Sequence, residues 1–333
     1  MGFLPFSASA AQGPQMVATL GPASLHLAPQ LAQAGATGFR LNASHLSPAQ
    51  LHDAVAQVRA ACPDAPVVVD LQGGKMRLGP NVALRTLQAG ERIRLSLRAD
   101  DPLALHVPHA ELFRALRPGH QLQLDDGRVV LRVRAADLDG AETQVEVPGE
   151  VRPRKGVNLT DHPVLLDDLT PADAERVQAA LQAGPVDFAL SFLATGAEAD
   201  WLRRRVPPGT QLIGKIERRE AIERLDDVAR AVDVLWVCRG DLGVQLGLGE
   251  MARWVAGLKP ETLSVPVVMA GQVLEHLTHH AEPTRSEACH VLDLMQRGYA
   301  GLVLSDETAV GVDPVGAVQW ARRLLGAVSV AEN

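Results

Sequence analysis

Leu212-Ile-Gly-Lys-Ile-Glu217 and Leu235-Trp-Val-Cys-Arg-Gly-Asp-Leu-Gly243 are the segments on which a reading of the fold turns. Each is an apolar run that ends in charge, the pattern of a buried parallel strand emerging at a catalytic mouth. Lys215 and Glu217 are two apart, so an extended strand points both to one side. Asp241 follows the second run between Gly240 and Gly243, where backbone can approach a ligand closely. Two carboxylates and an ammonium at one strand-end pocket suit a hard divalent cation beside a developing oxyanion. A structural ion pair with a plain loop would give the same local sequence, so the rest of the chain has to decide.

Working outward, apolar runs alternate with amphipathic Ala/Leu-rich stretches. Eight strands are expected, at Met16–Leu20, Gly38–Leu41, Pro66–Leu71, Val186–Phe192, Gln211–Ile216, Val234–Cys238, Val265–Met269 and Gly301–Leu304. Helices are expected between them, among others Pro48–Ala60, Pro171–Leu181, Arg219–Val232 and Thr284–Arg297, with Pro48 and Pro171 each following a Ser or Thr cap. The fold class is therefore α/β, a (β/α)₈ TIM barrel. Strands three and four are too far apart for one helix. The intervening chain alternates as hairpins around Asp126-Gly127, which predicts a small all-β lid domain at 80–153, inserted into a barrel of 1–79 and 154–333.

Bulk properties agree with an ordinary globular protein. The 333 residues are 47% hydrophobic and 21% charged, with only 3% aromatic, so Ala, Val and Leu must build the core. A net charge of −7 argues against nucleic acid and anionic membrane surfaces as partners. No apolar run approaches the roughly 20 residues of a membrane span, and Met1–Pro14 lacks the features of a signal peptide, so a cytoplasmic location is expected. Cys62, Cys238 and Cys289 have no metal-ligand spacing. Cys238 is read as a buried small hydrophobe before a nucleophile. His276, His279 and His280 have helical spacing, but no Cys or carboxylate completes a convincing ligand set, and they are read as a solvated helix end.

Polar residues recur at the expected strand ends. Arg40, Asn42 and Ser44 alternate along and beyond strand two, with His45 following. Asp70 closes strand three ahead of Leu71, the Gly73-Gly74 pair, Lys75 and Arg77. A guanidinium with fixed donors suits an anionic substrate oxygen, and paired glycines let backbone N–H groups turn toward an anion.

In their order these segments resemble the pyruvate kinase family. The carriers are Ala18-Thr-Leu-Gly-Pro-Ala-Ser24, Arg40-Leu-Asn-Ala-Ser-His45, Asp125-Asp-Gly127, Lys155-Gly-Val-Asn-Leu159, Ala189-Leu-Ser-Phe192, Lys215-Ile-Glu217, Arg239-Gly-Asp-Leu-Gly-Val244, Pro283-Thr-Arg285 and Leu304-Ser-Asp-Glu-Thr-Ala309. The resemblance implies transfer of the phosphoryl group of phosphoenolpyruvate to ADP, giving pyruvate and ATP through a metal-stabilised enolate. It makes Lys215 and Arg40 the catalytic pair and Glu217 and Asp241 the ligands of Mg²⁺ or Mn²⁺. Substrate would meet Arg40, Lys215, Gly240, Asp241 and Gly271, and nucleotide Asn42, His45, Arg77 and Lys155. Asn42, Ser44, Asp70 and Leu71 match the family's potassium site. Lys75 matches the subgroup whose ammonium stands in for the ion, so K⁺ is expected not to be required.

Two departures are visible. Gly271 stands where the family has a threonine associated with enolate protonation, and the family's C-terminal α/β regulatory domain has no counterpart in the sequence. Alternatives left open are a metal-dependent 2-oxo acid lyase, of the oxaloacetate decarboxylase or aldolase type, and a non-catalytic ligand-binding homologue. A homodimer through barrel helices around Pro283–Arg297 is also left open.

Overall fold

The computed structural model describes residues 13–125, 127–162, 164–166 and 168–328. The N-terminal Ala/Ser/Gly-rich stretch through residue 12 and Asp126 of the expected hairpin turn lie outside the described residues. The chain divides into two compact units, 1–73 with 168–333 and 74–167, and each is described by itself.

In the first unit eight described strands close into a barrel: β1 (Gln15–Leu20), β2 (Gly38–Asn42), β3 (Val67–Leu71), β4 (Asp187–Leu190), β5 (Leu212–Ile216), β6 (Val234–Cys238), β7 (Val267–Ala270) and β8 (Gly301–Leu304). Each pairs in parallel with its sequence neighbours, and β1 closes on β8. The expected eight-stranded TIM barrel is thus the observed one.

Strand alternation builds two cores. Outward residues such as Leu212, Ile216, Leu235, Val237, Val67 and Val69 pack under the helices. Inward Val17, Val68, Ala189, Ile213, Val234, Val268 and Val303 fill the barrel with Trp236. Two residues further along β1, β3 and β5, the inward positions are Thr19, Asp70 and Lys215, all buried. An apolar layer therefore supports a polar one, and the polar one is nearer the C-terminal strand ends.

The helices start where the sequence signals them. Ser47 and Gln50 form a reciprocal cap on Pro48–Ala61, as do Thr284 and Glu287 on Arg285–Gln296. The Thr170 hydroxyl accepts from the Asp173 amide at 3.1 Å ahead of Pro171–Ala183. The expected helix Arg219–Val232 is instead two, Arg219–Glu223 and Leu225–Ala231. Arg224, at φ −122° and ψ 32°, breaks it, which puts Asp226 and Asp227 in a helical first turn, where acids are favourable.

The second unit is a six-stranded sheet and a two-stranded one among the described residues. The insert is the β domain expected, and it carries one short helix, Ala110–Ala115. Its boundaries lie outside 80 and 153. Leu78 donates to the Lys155 carbonyl at 2.9 Å, Val157 donates to Met76 at 2.9 Å, and Val157–Leu159 pairs with Gln121–Leu124. Met76, Leu78, Val157 and Val164 bury themselves in the insert's own core, so the chain on both sides of Pro80 and Pro153 is held there.

The Gln72-Gly73 turn after β3 is held from inside the barrel unit. Asp173, fully buried, accepts from Gln72 N at 3.2 Å and Gly73 N at 2.9 Å. Gly73 has φ +64°, and a Cβ there would lie 2.0 Å from the Ser191 carbonyl oxygen. Gly73→Ala is therefore expected to cost about 2–3 kcal/mol or more, read as a lower urea midpoint. An unchanged midpoint would show that the turn is not packed this way.

Candidate active site

The same alternation that fills the barrel sets its polar layer. On β5, Ile213 points inward, then Lys215, then Glu217 just past the strand end. The Lys215 ammonium lies 2.8 Å from Glu217 Oε1, 3.1 Å from Asp70 Oδ2 and 2.8 Å from Ser191 Oγ. Asp70 in turn binds Arg40 of β2, with Nε at 2.8 Å and Nη2 at 2.7 Å on Oδ2, and its Oδ1 accepts from Ser191 Oγ at 3.1 Å. Arg40 Nη1 donates to Thr19 Oγ1 at 3.0 Å. Glu217 Oε2 accepts from the Phe192 amide at 2.8 Å. Phe192 is left-handed, with φ 59°, an unfavourable backbone for a bulky residue at the end of β4.

Two cations and two carboxylates are thus buried together, and their proton affinities diverge. Burial alone would raise Asp70, but the Lys215 ammonium and then the Arg40 guanidinium overcome it and hold its carboxyl below the usual range. Burial would lower Lys215, yet Asp70 and Glu217 keep its ammonium charged well past the ordinary lysine range. Glu217 shifts upward, first through burial, with Asp241 and Asp70 as like charges adding to it against Lys215. The two acids differ because Asp70 has two cations in contact and Glu217 one.

Asp241 lies on a helix and not in the plain loop of the alternative reading. Arg239–Leu246 is a helix that starts directly after β6. Asp241 is half-buried in its first turn, and a Cβ on Gly240 would meet nothing within 4 Å. Asp241 lies close enough to raise the proton affinity of Glu217. Counting it, the mouth carries three carboxylates against two cations, a donor set that fits a hard divalent ion. Among the described residues no group of three His, Cys, Asp or Glu is arranged to hold a metal, so further ligands of such an ion would be water or substrate oxygens.

The other expected residues fall into separate places. Arg40 and Asn42 are on β2, but Ser44 and the exposed His45 lie in a 3₁₀ turn, Ala43–His45, so strand alternation does not reach them. Asn42 Oδ1 accepts from Ser44 N at 3.2 Å and Oγ at 2.7 Å. Lys75, Arg77 and Lys155 belong to the inserted unit. There, Arg77 Nη1 donates to the Arg154 carbonyl at 2.9 Å, Arg77 bridges Gly156, and Lys155 Nζ lies 2.8 Å from Asp125 Oδ1. Gly271 follows β7 with φ +77°, a backbone that a β-branched threonine resists. Cys238 lies inside the barrel, where burial pushes its thiol up, against a nucleophilic thiolate. His276 and His280 stack at 3.7 Å beside a single 3₁₀ turn, Glu275–Thr278.

Ser191 and Thr19 were absent from the expected site. The alternation that selects Lys215 also selects them, since Ser191 lies one inward step past Ala189 and Thr19 one past Val17.

A family model described as pyruvate kinase, barrel domain, matches residues 11–318. Among curated proteins, the pyruvate kinase of Methylorubrum extorquens is 33% identical over 93% of this chain and 67% of its own length. That of Agrobacterium vitis is 33% identical over 93% and 68%, and that of Mycobacterium tuberculosis 34% over 94% and 70%. No described helix is long and apolar enough to cross a membrane.

Proposed function

The chain belongs to the pyruvate kinase family, and from this we propose that it transfers the phosphoryl group of phosphoenolpyruvate to ADP, giving pyruvate and ATP. The observation that carries the proposal is the buried Lys215 ammonium, within 3.1 Å of Asp70 and 2.8 Å of both Ser191 and Glu217 at one strand end. Fixed in this way, Lys215 offers positive charge to the transferring phosphoryl group and to the enolate oxygen left behind, with no reorganisation at the moment of reaction. Arg40 spends three N–H donors on Asp70 and Thr19, which leaves two for the phosphoryl group. Glu217 and Asp241 would hold Mg²⁺ or Mn²⁺, which supplies Lewis-acid charge neutralisation when bound. The amides of Gly240 and Asp241 receive the substrate carboxylate. Asn42 and His45 of the barrel unit serve the nucleotide.

Asn42, Ser44, Asp70 and the Leu71 carbonyl match the family's monovalent-cation position, and the chain carries Lys75 as the subgroup that needs no K⁺ does. Activity is therefore expected to be the same in tetramethylammonium and potassium buffers, with K75E acquiring a K⁺ requirement. A strict K⁺ requirement of the unaltered protein would contradict this assignment.

One observation favours a second reading. Gly271 presents no hydroxyl, and a Cβ built on it would stand only in ordinary contact, 3.5 Å from Arg239 N and 3.6 Å from Gly240 N. That opening admits a different enolate precursor, as a 2-oxo acid lyase would need. Parallel assays separate the readings: phosphoenolpyruvate with ADP and Mg²⁺, and oxaloacetate without nucleotide. Equal amounts of ATP and pyruvate support phosphoryl transfer. Nucleotide-independent pyruvate supports the lyase, and calorimetric binding without turnover supports a ligand-binding homologue.

A further inference from the structure

Among the described residues, the hydrogen-bond partners of the Arg239 guanidinium are two carbonyls and an imidazole. Its Nε and Nη2 donate to Gly271 O at 3.0 and 2.7 Å, Nη2 also to Gln272 O at 2.7 Å, and Nη1 lies 2.7 Å from His290 Nε2. The two carbonyls belong to consecutive left-handed residues, Gly271 at φ 77° and Gln272 at φ 54°. A left-handed glutamine persists only where its surroundings over-determine it, and Arg239 grips both peptides.

The imidazole contact has one chemical solution. A guanidinium offers only donors, so His290 Nε2 must present a lone pair, with the ring neutral and its proton on Nδ1. Protonation would set two cations against each other at that distance. We propose that His290 is a positioning residue: its neutral ring holds Arg239 on the Gly271–Gln272 turn, and protonation releases the turn and weakens phosphoenolpyruvate binding. This rests on the placement of Gly271 in the substrate site given above.

Burial first, and then the facing Arg239, hold His290 below the usual histidine range, with Arg297 adding and Asp293 opposing. The other titratable groups near Arg239 are Tyr299, Glu275 and Glu307. Burial pushes Tyr299 up to about 12, which keeps it neutral, and pushes Glu307 up to about 7, so Glu307 titrates near neutrality and needs a control. Because the folded protein disfavours the protonated ring, acid opposes the clamp as pH falls below the ordinary histidine value of about 6.5.

The test compares KM for phosphoenolpyruvate in wild type, H290Q, H290K and E307Q from pH 8 to 5.5. Gln keeps a neutral acceptor, and comparison between variants cancels the substrate's own titration. Wild type and E307Q are expected to show a KM rise of roughly three- to tenfold in acid beyond that of H290Q, with H290K raised at every pH. In parallel, NMR follows the His290 tautomer and the Gly271 amide without substrate. A Nδ1–H tautomer at pH 8, and a Gly271 shift in acid that vanishes in H290Q, support the clamp even if no phosphoenolpyruvate turns over. H290Q reproducing the wild-type profile, or a proton on Nε2 at pH 8, overturns it.

Discussion

Lys215→Met is expected to lower kcat for phosphoenolpyruvate by about 10²–10³-fold or more, the usual scale for removing one preorganised donor from a developing oxyanion. The loss should exceed that of any other single substitution on the inner barrel face, because no second cation replaces the ammonium beside Glu217. Arg40 contacts Asp70 and Thr19, and Lys215 alone joins Asp70, Ser191 and Glu217. Removing it also leaves Glu217 buried without its cation, so K215M should take up a proton at higher pH than wild type does. K215R keeps the charge but not the compact three-donor geometry, and should regain stability more fully than turnover. Steady-state kinetics and circular dichroism check this; K215M within twofold of wild-type kcat would refute the role given to Lys215.

Asp70→Asn carries the largest expected effect on stability. Asp70 sits between Arg40 and Lys215, so the neutral amide leaves two buried cations with Glu217 as the remaining anion in contact. Breaking a buried pair from one side costs about 3–5 kcal/mol, far more than a surface ion pair contributes. The sign of its pH dependence follows from the depressed carboxyl. A folded-state proton affinity below the unfolded one gives stability that is present above about pH 4 and lost as pH falls through the native value. The deficit of D70N against wild type should therefore be full at pH 7 and shrink in acid, as measured by urea unfolding at several pH values. A deficit independent of pH would mean that the loss is one of shape and not of charge.

Much of this arrangement was legible because strand alternation is a rigid rule. It turns Ile213, Lys215 and Glu217 to one face and lets the spacing of two residues predict a contact of 2.8 Å. The hub role of Asp70 was not legible, since its three partners, on β2, just past β4 and on β5, meet it only when the barrel closes. The helix directly after β6 gave no signal, since the two glycines of Arg-Gly-Asp-Leu-Gly weaken a helix. Prolines at 80 and 153 look like domain breaks, but main-chain pairing of Leu78 with Lys155 carries the insert past them. Gly271 reads as a lost side chain, and its positive φ adds that the backbone there is one glycine adopts freely. His290 gives no signal in sequence, because its meaning depends on a guanidinium 51 residues away, at the start of the helix after β6.

Whether Glu217 and Asp241 share one cation beside Lys215 is read from Mn²⁺ binding followed by electron paramagnetic resonance in wild type, E217Q and D241N, with and without phosphoenolpyruvate. One ion per chain in wild type, with affinity lost in both variants and binding strengthened by phosphoenolpyruvate only in wild type, is the expected result. Wild-type Mn²⁺ affinity in both E217Q and D241N would contradict it.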